Sequence, residues 1–355
     1  MRKFHHLEVA SIRRETAGCV SIEFKIPAES RSEFDFKAGQ HVTLRTVLDG
    51  EEVRRSYSIC SAPLETEFRI AVKEVEGGKF STFANRILRP GQILEVMPPL
   101  GTFTLPFSTT QRKHYVAFVA GSGITPVFSM MKTALAWEAG SHFTLFYGNK
   151  DADSIIFKNE ISDLKNKYLD RLSVHYVLSK EDPGAALFHG RIDASKCESF
   201  LQHIAPVHAA DDFLICGPFG MIEEIRSLLL RKGVLPAHIH SELFGVPVSS
   251  ATETRPPGEP SDLVSEITLT IDGNTFSFSP SANSISILEA AQQAGADLPY
   301  ACKAGVCCTC KAKLIAGEVD VRLNYGLMEE ELQQGYVLTC QALPKSAQVV
   351  LSFDE

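Results

Sequence analysis

Between residue 4 and about residue 106, short apolar runs alternate with polar positions and end at glycine, proline or charged turns. The period-two pattern over 4–12, 19–26, 41–47, 56–59 and 68–75 predicts β-strands. Gly77-Gly78 breaks the pattern, a helical segment follows at 81–88, and Arg89-Pro90-Gly91 turns the chain into another strand at 93–97. Several short strands with one small helix predict an antiparallel barrel. From Lys113 the pattern changes. Tyr115-Val-Ala-Phe-Val-Ala120 is a continuous apolar run, suited to a strand buried on both faces of a parallel sheet. Helical periods at 127–138, 154–168 and 221–232 alternate with strands at 142–148, 172–178 and 213–216. Such alternation predicts a parallel α/β sheet with right-handed crossovers.

Residues 245–261 carry Pro247, Pro256, Pro257 and Pro260 among serines and threonines, the composition of a linker. The expected organisation is therefore a barrel over 1–108, an α/β domain over 109–245, a linker over 246–262 and a third domain over 263–355. A length of 355 residues suits two or three domains, and 44% hydrophobic with 22% charged residues is ordinary for a globular chain. The longest uncharged stretch, 115–131, is short for a bilayer and is broken by Gly121, Gly123 and Pro126, so no membrane span is expected. Met1-Arg2-Lys3 is not followed by an apolar run, which argues against secretion and for a reducing, cytoplasmic location.

The nine cysteines change the picture. Cys302, Cys307 and Cys310 stand as C-x4-C-x2-C, answered by the distant Cys340, which is the plant-type [2Fe–2S] spacing. Two irons need four thiolates: three from one tight loop and one from a separate strand. Ala301, Ala304 and Gly305 let backbone N–H groups come close to sulfur. A zinc site would show two C-x2-C halves, and a disulfide framework belongs to small secreted domains. Cys308 is surplus and reads as a small packing residue. The formal charge is −8, and residues 261–355 hold twelve acids against five bases, leaving the rest near neutral. This distribution disfavours nucleic acid and suits steering of the acidic tail to a basic surface on an electron acceptor.

Three further motifs suit phosphates. Arg54-Arg55-Ser56-Tyr57-Ser58 places guanidinium forks and a flat ring on a strand. Gly77-Gly78-Lys79-Phe80-Ser81-Thr82 opens a helix with glycines and hydroxyls. Gly121-Ser122-Gly123-Ile124-Thr125-Pro126 follows the buried strand, with Pro126 where a dinucleotide fingerprint has its third glycine. Cys216-Gly217-Pro218 ends a later strand. Tyr147-Gly148-Asn149-Lys150 ends another where an adenosine ribose belongs. With no acid immediately after Gly148 and with Lys150 and Arg191 as cations for a 2′-phosphate, NADPH is the expected coenzyme.

These motifs, with Leu100-Gly101-Thr102-Phe103, resemble the ferredoxin–NADP+ reductase-like family, and the last quarter resembles plant-type ferredoxin domains, including Gly335-Tyr-Val-Leu-Thr-Cys340. The resemblance implies a flavin-binding antiparallel β-barrel, a nicotinamide-binding parallel α/β domain and a C-terminal β-grasp ferredoxin domain. It implies FAD, although some relatives use FMN, with Arg55 on the pyrophosphate, Tyr57 against the flavin and Ser58 near N5. Gly78, Phe80, Ser81 and Thr82 would hold phosphates. Gly121, Gly123, Thr125, Asn149, Lys150, Gly217 and Pro218 would hold the coenzyme. Cys216 would lie near the hydride path, and Phe244 would cover the flavin. The domain order, with Asp153-Ser-Ile-Ile-Phe157, His189-Gly-Arg-Ile-Asp193 and Asn324-Tyr325, is similar to the reductase subunits of ring 1,2-phenylacetyl-CoA epoxidases. It implies electron flow from NADPH through FAD and a [2Fe–2S] cluster to a separate di-iron oxygenase. No Glu-x-x-His pair suited to an own di-iron centre is present. A reductase of another oxygenase or hybrid-cluster system and a non-enzymatic redox sensor are the competing readings.

Overall fold

The computed structural model describes residues 3–244, 265–280 and 284–355; the expected linker at 246–262 lies outside them. Those residues form two compact units: Phe4–Val53 with Tyr57–Phe244, and the chain from Ser265 onward together with Lys3 and Arg54–Ser56.

Between His5 and Val96, β1 (His5–Thr16), β2 (Cys19–Lys25), β3 (His41–Leu48), β4 (Glu51–Ser58), β5 (Phe68–Lys73) and β6 (Ile93–Val96) make one sheet in the order β4-β3-β6-β1-β2-β5. Its two outer strands meet beyond Ser58: Ile59 bridges Ile70, and the Cys60 N–H donates to the Arg69 carbonyl at 2.8 Å. This closes the expected antiparallel barrel around Leu7, Val9, Ile22, Val42, Leu44 and Ile70. Strand β4 starts five residues before the expected one. Asp49 (φ 51°) and Gly50 (φ 80°) form a tight hairpin turn that feeds the chain straight back into pairing. Helix α1 (Lys79–Arg86) packs on this core.

The α/β lobe contains β7 (His114–Ala120), α2 (Ile124–Trp137), β8 (His142–Asn149), α3 (Lys158–Lys167), β9 (Leu172–Leu178), α4 (Ala194–His203), β10 (Asp212–Gly217), α5 (Phe219–Arg231) and β11 (Ile239–Leu243). The sheet order is β11-β10-β7-β8-β9 and every pairing is parallel. Helix α2 begins three residues before the expected start, because Pro126 falls in the first turn, where no N–H is needed. The helix expected over 154–168 is divided. A 3₁₀ turn at Ala152–Ser154 is capped by Asp151, and Phe157 at φ 60° interrupts the chain before α3. Helix α4 and strand β11 carry weak periodicity and are not among the expected elements.

Barrel and lobe share a core that runs from Cys19, Ala38, Cys60 and Phe103 to Val119, Val127 and Met130. Polar contacts fix the join. Ser129 Oγ donates to the Ser61 carbonyl at 2.6 Å, and the buried Arg69 donates to both Glu160 oxygens at 2.6 and 3.0 Å.

The second unit has β12 (Glu266–Ile271), β13 (Asn274–Phe278), α6 (Ile287–Gln293), β14 (Lys311–Ala316), β15 (Val319–Val321), α7 (Glu329–Gln333), β16 (Tyr336–Leu338), β17 (Ala342–Pro344) and β18 (Gln348–Ser352). The main sheet runs β13-β12-β18-β14-β16, with β12 and β18 parallel and the other pairs antiparallel. Helix α6, capped by Ser286, adds Ile287, Leu288 and Ala291 to the same core, giving the β-grasp arrangement. Among the described residues, no helix is long and apolar enough to cross a membrane.

Candidate redox sites

The barrel presents its candidate residues at the end of β4 and the start of α1. Tyr57 is half-buried with its ring 5.4 Å from that of Phe80; Ser58 is buried. Arg55 is exposed and donates to the Arg54 carbonyl at 2.7 Å. Gly77 has φ 71°, and Gly78 caps α1. Ser81 Oγ accepts from the Val75 N–H at 3.1 Å and donates to the Gly78 carbonyl at 3.2 Å, while the Thr82 N–H donates to Gly78 at 3.0 Å. These bonds fix the turn and leave first-turn N–H groups without intrahelical acceptors, as an anion requires. Phe80 is a core side chain, so only its backbone faces that turn's chemistry.

In the α/β lobe the chain runs from β7 outward to β8 and β9 on one side, and to β10 and β11 on the other. The switch in direction lies between β7 and β10, the position where open α/β sheets bind ligands. Both glycine turns stand there. Gly121 has φ 54° and its carbonyl accepts from Tyr147 Oη at 3.0 Å. A side chain at Gly123 would collide with the Cys216 carbonyl oxygen and lie 2.7 Å from its carbon, so the two turns pack backbone to backbone. At Gly217 a Cβ would lie 2.5 Å from Met221 Cε, and Pro218 caps α5. Thr125 is buried, its hydroxyl donating to the Ser122 carbonyl at 3.0 Å, so it braces the turn.

At the end of β8, Asn149 is 9% exposed and both its amide atoms lack a hydrogen-bond partner. An orphaned buried amide at the carboxyl end of a parallel strand fits a bound ligand. Lys150 is exposed; its carbonyl accepts the Lys180 N–H at 2.8 Å, and Asn149 accepts the Ser179 N–H at 3.0 Å, so two lysines share one loop pair. Arg191, exposed, follows Gly190 on a neighbouring turn. Lys73, at the end of β5, reaches over the glycine turn, with Nζ 3.2 Å from where a Gly121 Cβ would stand. Burial, and then Lys150, lower its pKa. Neither Lys73 nor Lys180 was legible in the sequence, because each sits at the end of an ordinary strand.

Three strands bring Ser58, Cys216 and Glu242 together. Cys216 on β10 faces Glu242 on β11 in register, and Ser58 Oγ donates to Glu242 Oε2 at 3.3 Å. Burial pushes the Glu242 carboxyl up to about 8 and, with help from Glu242, pushes the Cys216 thiol up. A carboxyl that keeps a proton near neutral pH thus stands beside a hydroxyl and a thiol. Phe244, 41% exposed, directly follows β11.

In the second unit the cysteines fall into two hydrogen-bonded pairs, Cys302 with Cys307 and Cys310 with Cys340. In each pair the hydrogen bond between the sulfurs holds one thiol down, Cys307 and Cys340, and the other up, Cys302 and Cys310. Lys303 (φ 52°), Gly305 (φ 73°) and Cys308 (φ 53°) curl the loop, and Cys302 Sγ accepts N–H bonds from Ala304 at 3.3 Å and Cys307 at 3.4 Å. Two thiol pairs with inward N–H donors fit two irons with two thiolates each. Cys308 packs against Gly326, where any Cβ would meet its sulfur at 2.5 Å.

Comparison with known proteins agrees with this geometry. The oxidoreductase FAD-binding domain family matches residues 7–105, the oxidoreductase NAD-binding domain family 118–227, and the 2Fe-2S iron-sulfur cluster binding domain family 269–345. The chain is 41% identical over 357 residues to a subunit of the 1,2-phenylacetyl-CoA epoxidase of Escherichia coli, covering 100% of this chain and 99% of that protein. It is 31% identical to the ferredoxin reductase component of 3-ketosteroid-9-alpha-monooxygenase of Rhodococcus rhodochrous, covering 98% and 96%. The chain belongs to the family of oxygenase reductase components. This reductase is an oxidoreductase built from FAD-binding, NAD-binding and [2Fe–2S] domains. Among solved structures it resembles phthalate dioxygenase reductase, described as a modular structure for electron transfer from pyridine nucleotides to [2Fe-2S], with a TM-score of 0.60, 25% identity and coverage of 99% and 98%.

Proposed function

We propose that this reductase oxidises NADPH and delivers electrons singly to a separate di-iron oxygenase that epoxidises phenylacetyl-CoA, within a reducing cytoplasm. The observation that carries the acceptor is the end-to-end likeness to the epoxidase protein of Escherichia coli at 41% identity. The location is supported by nine cysteines of which none lies in a disulfide. We further propose domain boundaries near 108, 245 and 263.

Bound flavin supplies the conversion of a two-electron hydride into single electrons. The protein's part is placement. Arg55 and the first turn of α1 hold the flavin's phosphates, Tyr57 gives its ring a flat face, and Phe244 covers the opposite side. The Gly121–Gly123 turn and Lys73 would hold the coenzyme pyrophosphate, with Thr125, Gly217 and Pro218 shaping the nicotinamide end. Asn149 takes the ribose, and Lys150 and Lys180 take the 2′-phosphate. Ser58, Cys216 and Glu242 would line the hydride-transfer site, with the Glu242 carboxyl within hydrogen-bond reach of Ser58. Cys302, Cys307, Cys310 and Cys340 hold the two irons.

A charge-assisted bond to phosphate contributes about 1.5–3 kcal/mol, so Lys150→Ala or Lys180→Ala should narrow the NADPH preference in kcat/KM by roughly 10- to 150-fold. Steady-state kinetics with both coenzymes decide; a wild-type preference for NADH overturns the coenzyme reading. Adding NADPH, phenylacetyl-CoA and the epoxidase's oxygenase subunits to the purified protein in air should give the epoxide. No product there, with efficient support of a different oxygenase, overturns the acceptor.

A further inference from the structure

At the opposite, N-terminal end of the parallel sheet stands a charged group with no part in binding flavin, coenzyme or iron. Asp212 opens β10 and is 3% exposed. Its Oδ2 accepts from Lys113 Nζ at 2.7 Å, while its Oδ1 pairs with His240 Nε2 at 3.1 Å and His238 Nδ1 at 3.3 Å. Burial alone would raise this carboxyl, but hydrogen bonds from His240 and Lys113 outweigh it and hold it well below the usual range.

The two histidines belong to β11 and the turn that leads into it. Strand β11 is five residues long, lies at the sheet edge and pairs only with β10. Its buried apolar side chains are Ile239 and Leu243, a weak pattern for setting register. His240 and Glu242 share one face, opposite Leu214 and Cys216, and Asp212 precedes Leu214 by two residues on that same face. A slip of one residue would turn Glu242 to the other face; a slip of two would carry it about 7 Å along the sheet.

We propose that Asp212 is a positioning residue for hydride transfer: through His240 and His238 it pins the register of β11 and so seats Glu242 beside Ser58 and Cys216. This inference rests on the proposed role of Glu242 at the reacting carbon. The pin is separate from that site, and it acts through the strand rather than on the coenzyme.

The test uses the full-length holoprotein. Stopped-flow reduction of its flavin by NADPH is followed across pH, alongside hydrogen exchange of the amides at 239–243. The charged or titratable groups facing Asp212 are Lys113, His238, His240 and, across β7, Tyr115; those facing Glu242 are Ser58 and Cys216. In Asp212→Asn and His240→Leu, a displaced Glu242 is better hydrated. The midpoint of the pH dependence should therefore fall by about one unit, and the limiting rate by about tenfold, with the NADPH Kd held within about twofold. Amides 239–243 should exchange faster. Lys113→Met leaves both imidazoles on Asp212 and should behave as wild type. His240→Leu keeps the Lys113–Asp212 pair and serves where Asp212→Asn folds poorly. Unchanged midpoint, rate and exchange in the folded variants overturn the proposal. Glu242→Gln separates the two roles. If it abolishes the pH-dependent limb while the Asp212 and His240 variants change nothing, only the pin is lost. If it leaves the limb intact, the role of Glu242 falls, and exchange together with the limiting rate still decides whether Asp212 pins β11.

Discussion

At the scale of single residues, the cysteines and Glu242 show two kinds of legibility. Three of the proposed ligands stand within nine positions of one loop, and the fourth follows a recognisable strand, so their spacing alone pointed to a [2Fe–2S] domain. If each pair, Cys302 with Cys307 and Cys310 with Cys340, serves one iron as proposed, each substitution leaves one iron with a single thiolate. Changing any one of the four to serine should strip or damage the cluster, read as lost iron and lost visible absorbance. Cys308→Ala should retain both, at a stability cost of no more than about 1 kcal/mol, because Cys308 packs on Gly326 and makes a long thiol bond to the Val306 carbonyl. Full cluster occupancy in Cys340→Ser would remove it from the ligand set. Glu242 could not be found this way. Its carboxyl is raised by burial, against the hydrogen bond from Ser58, 184 positions away, which lowers it; no local pattern records either.

At the scale of elements, long apolar or alternating runs such as β7 and β2 announced themselves, whereas β11 did not. An edge strand with two buried apolar residues has too little pattern to stand out, and α4 shows only Cys197, Phe200 and Leu201 to the core. The glycine turns were legible as motifs, but their mutual packing was not: Gly123 presses on the backbone of Cys216, from a strand almost a hundred positions later. Backbone cannot move aside as a flexible side chain can. Gly123→Ala should therefore cost about 1–3 kcal/mol of unfolding free energy and raise the KM for NADPH sharply. Gly220→Ala is the control. It lies in α5 with nothing within 4 Å of the added Cβ and should stabilise by about 0.5–1 kcal/mol without affecting the coenzyme. Denaturant unfolding and steady-state kinetics check both; equal behaviour of the two variants would mean that the two turns do not need to pack closely.

At the scale of the whole molecule, the borders of the cores decide which parts can work alone. Barrel and α/β lobe share buried side chains and the Arg69–Glu160 bond, so they should unfold together. The chain from Ser265 onward closes its own core around Ile267, Leu288, Leu338 and Leu351. Everything proposed for coenzyme and flavin lies before residue 245, and all four iron ligands lie after residue 300. A protein cut after Val246 should thus fold, keep FAD and reduce ferricyanide with NADPH at near the full-length rate, because hydride transfer uses only residues before 245. It should not support the oxygenase, whose electrons leave singly through the second. The tail from Leu263 should assemble a cluster and oxidise no NADPH. Oxygenase turnover with the cut protein at close to the full-length rate would show that electrons can leave directly from the flavin. The paired cysteines would then be an accessory to the path rather than its exit.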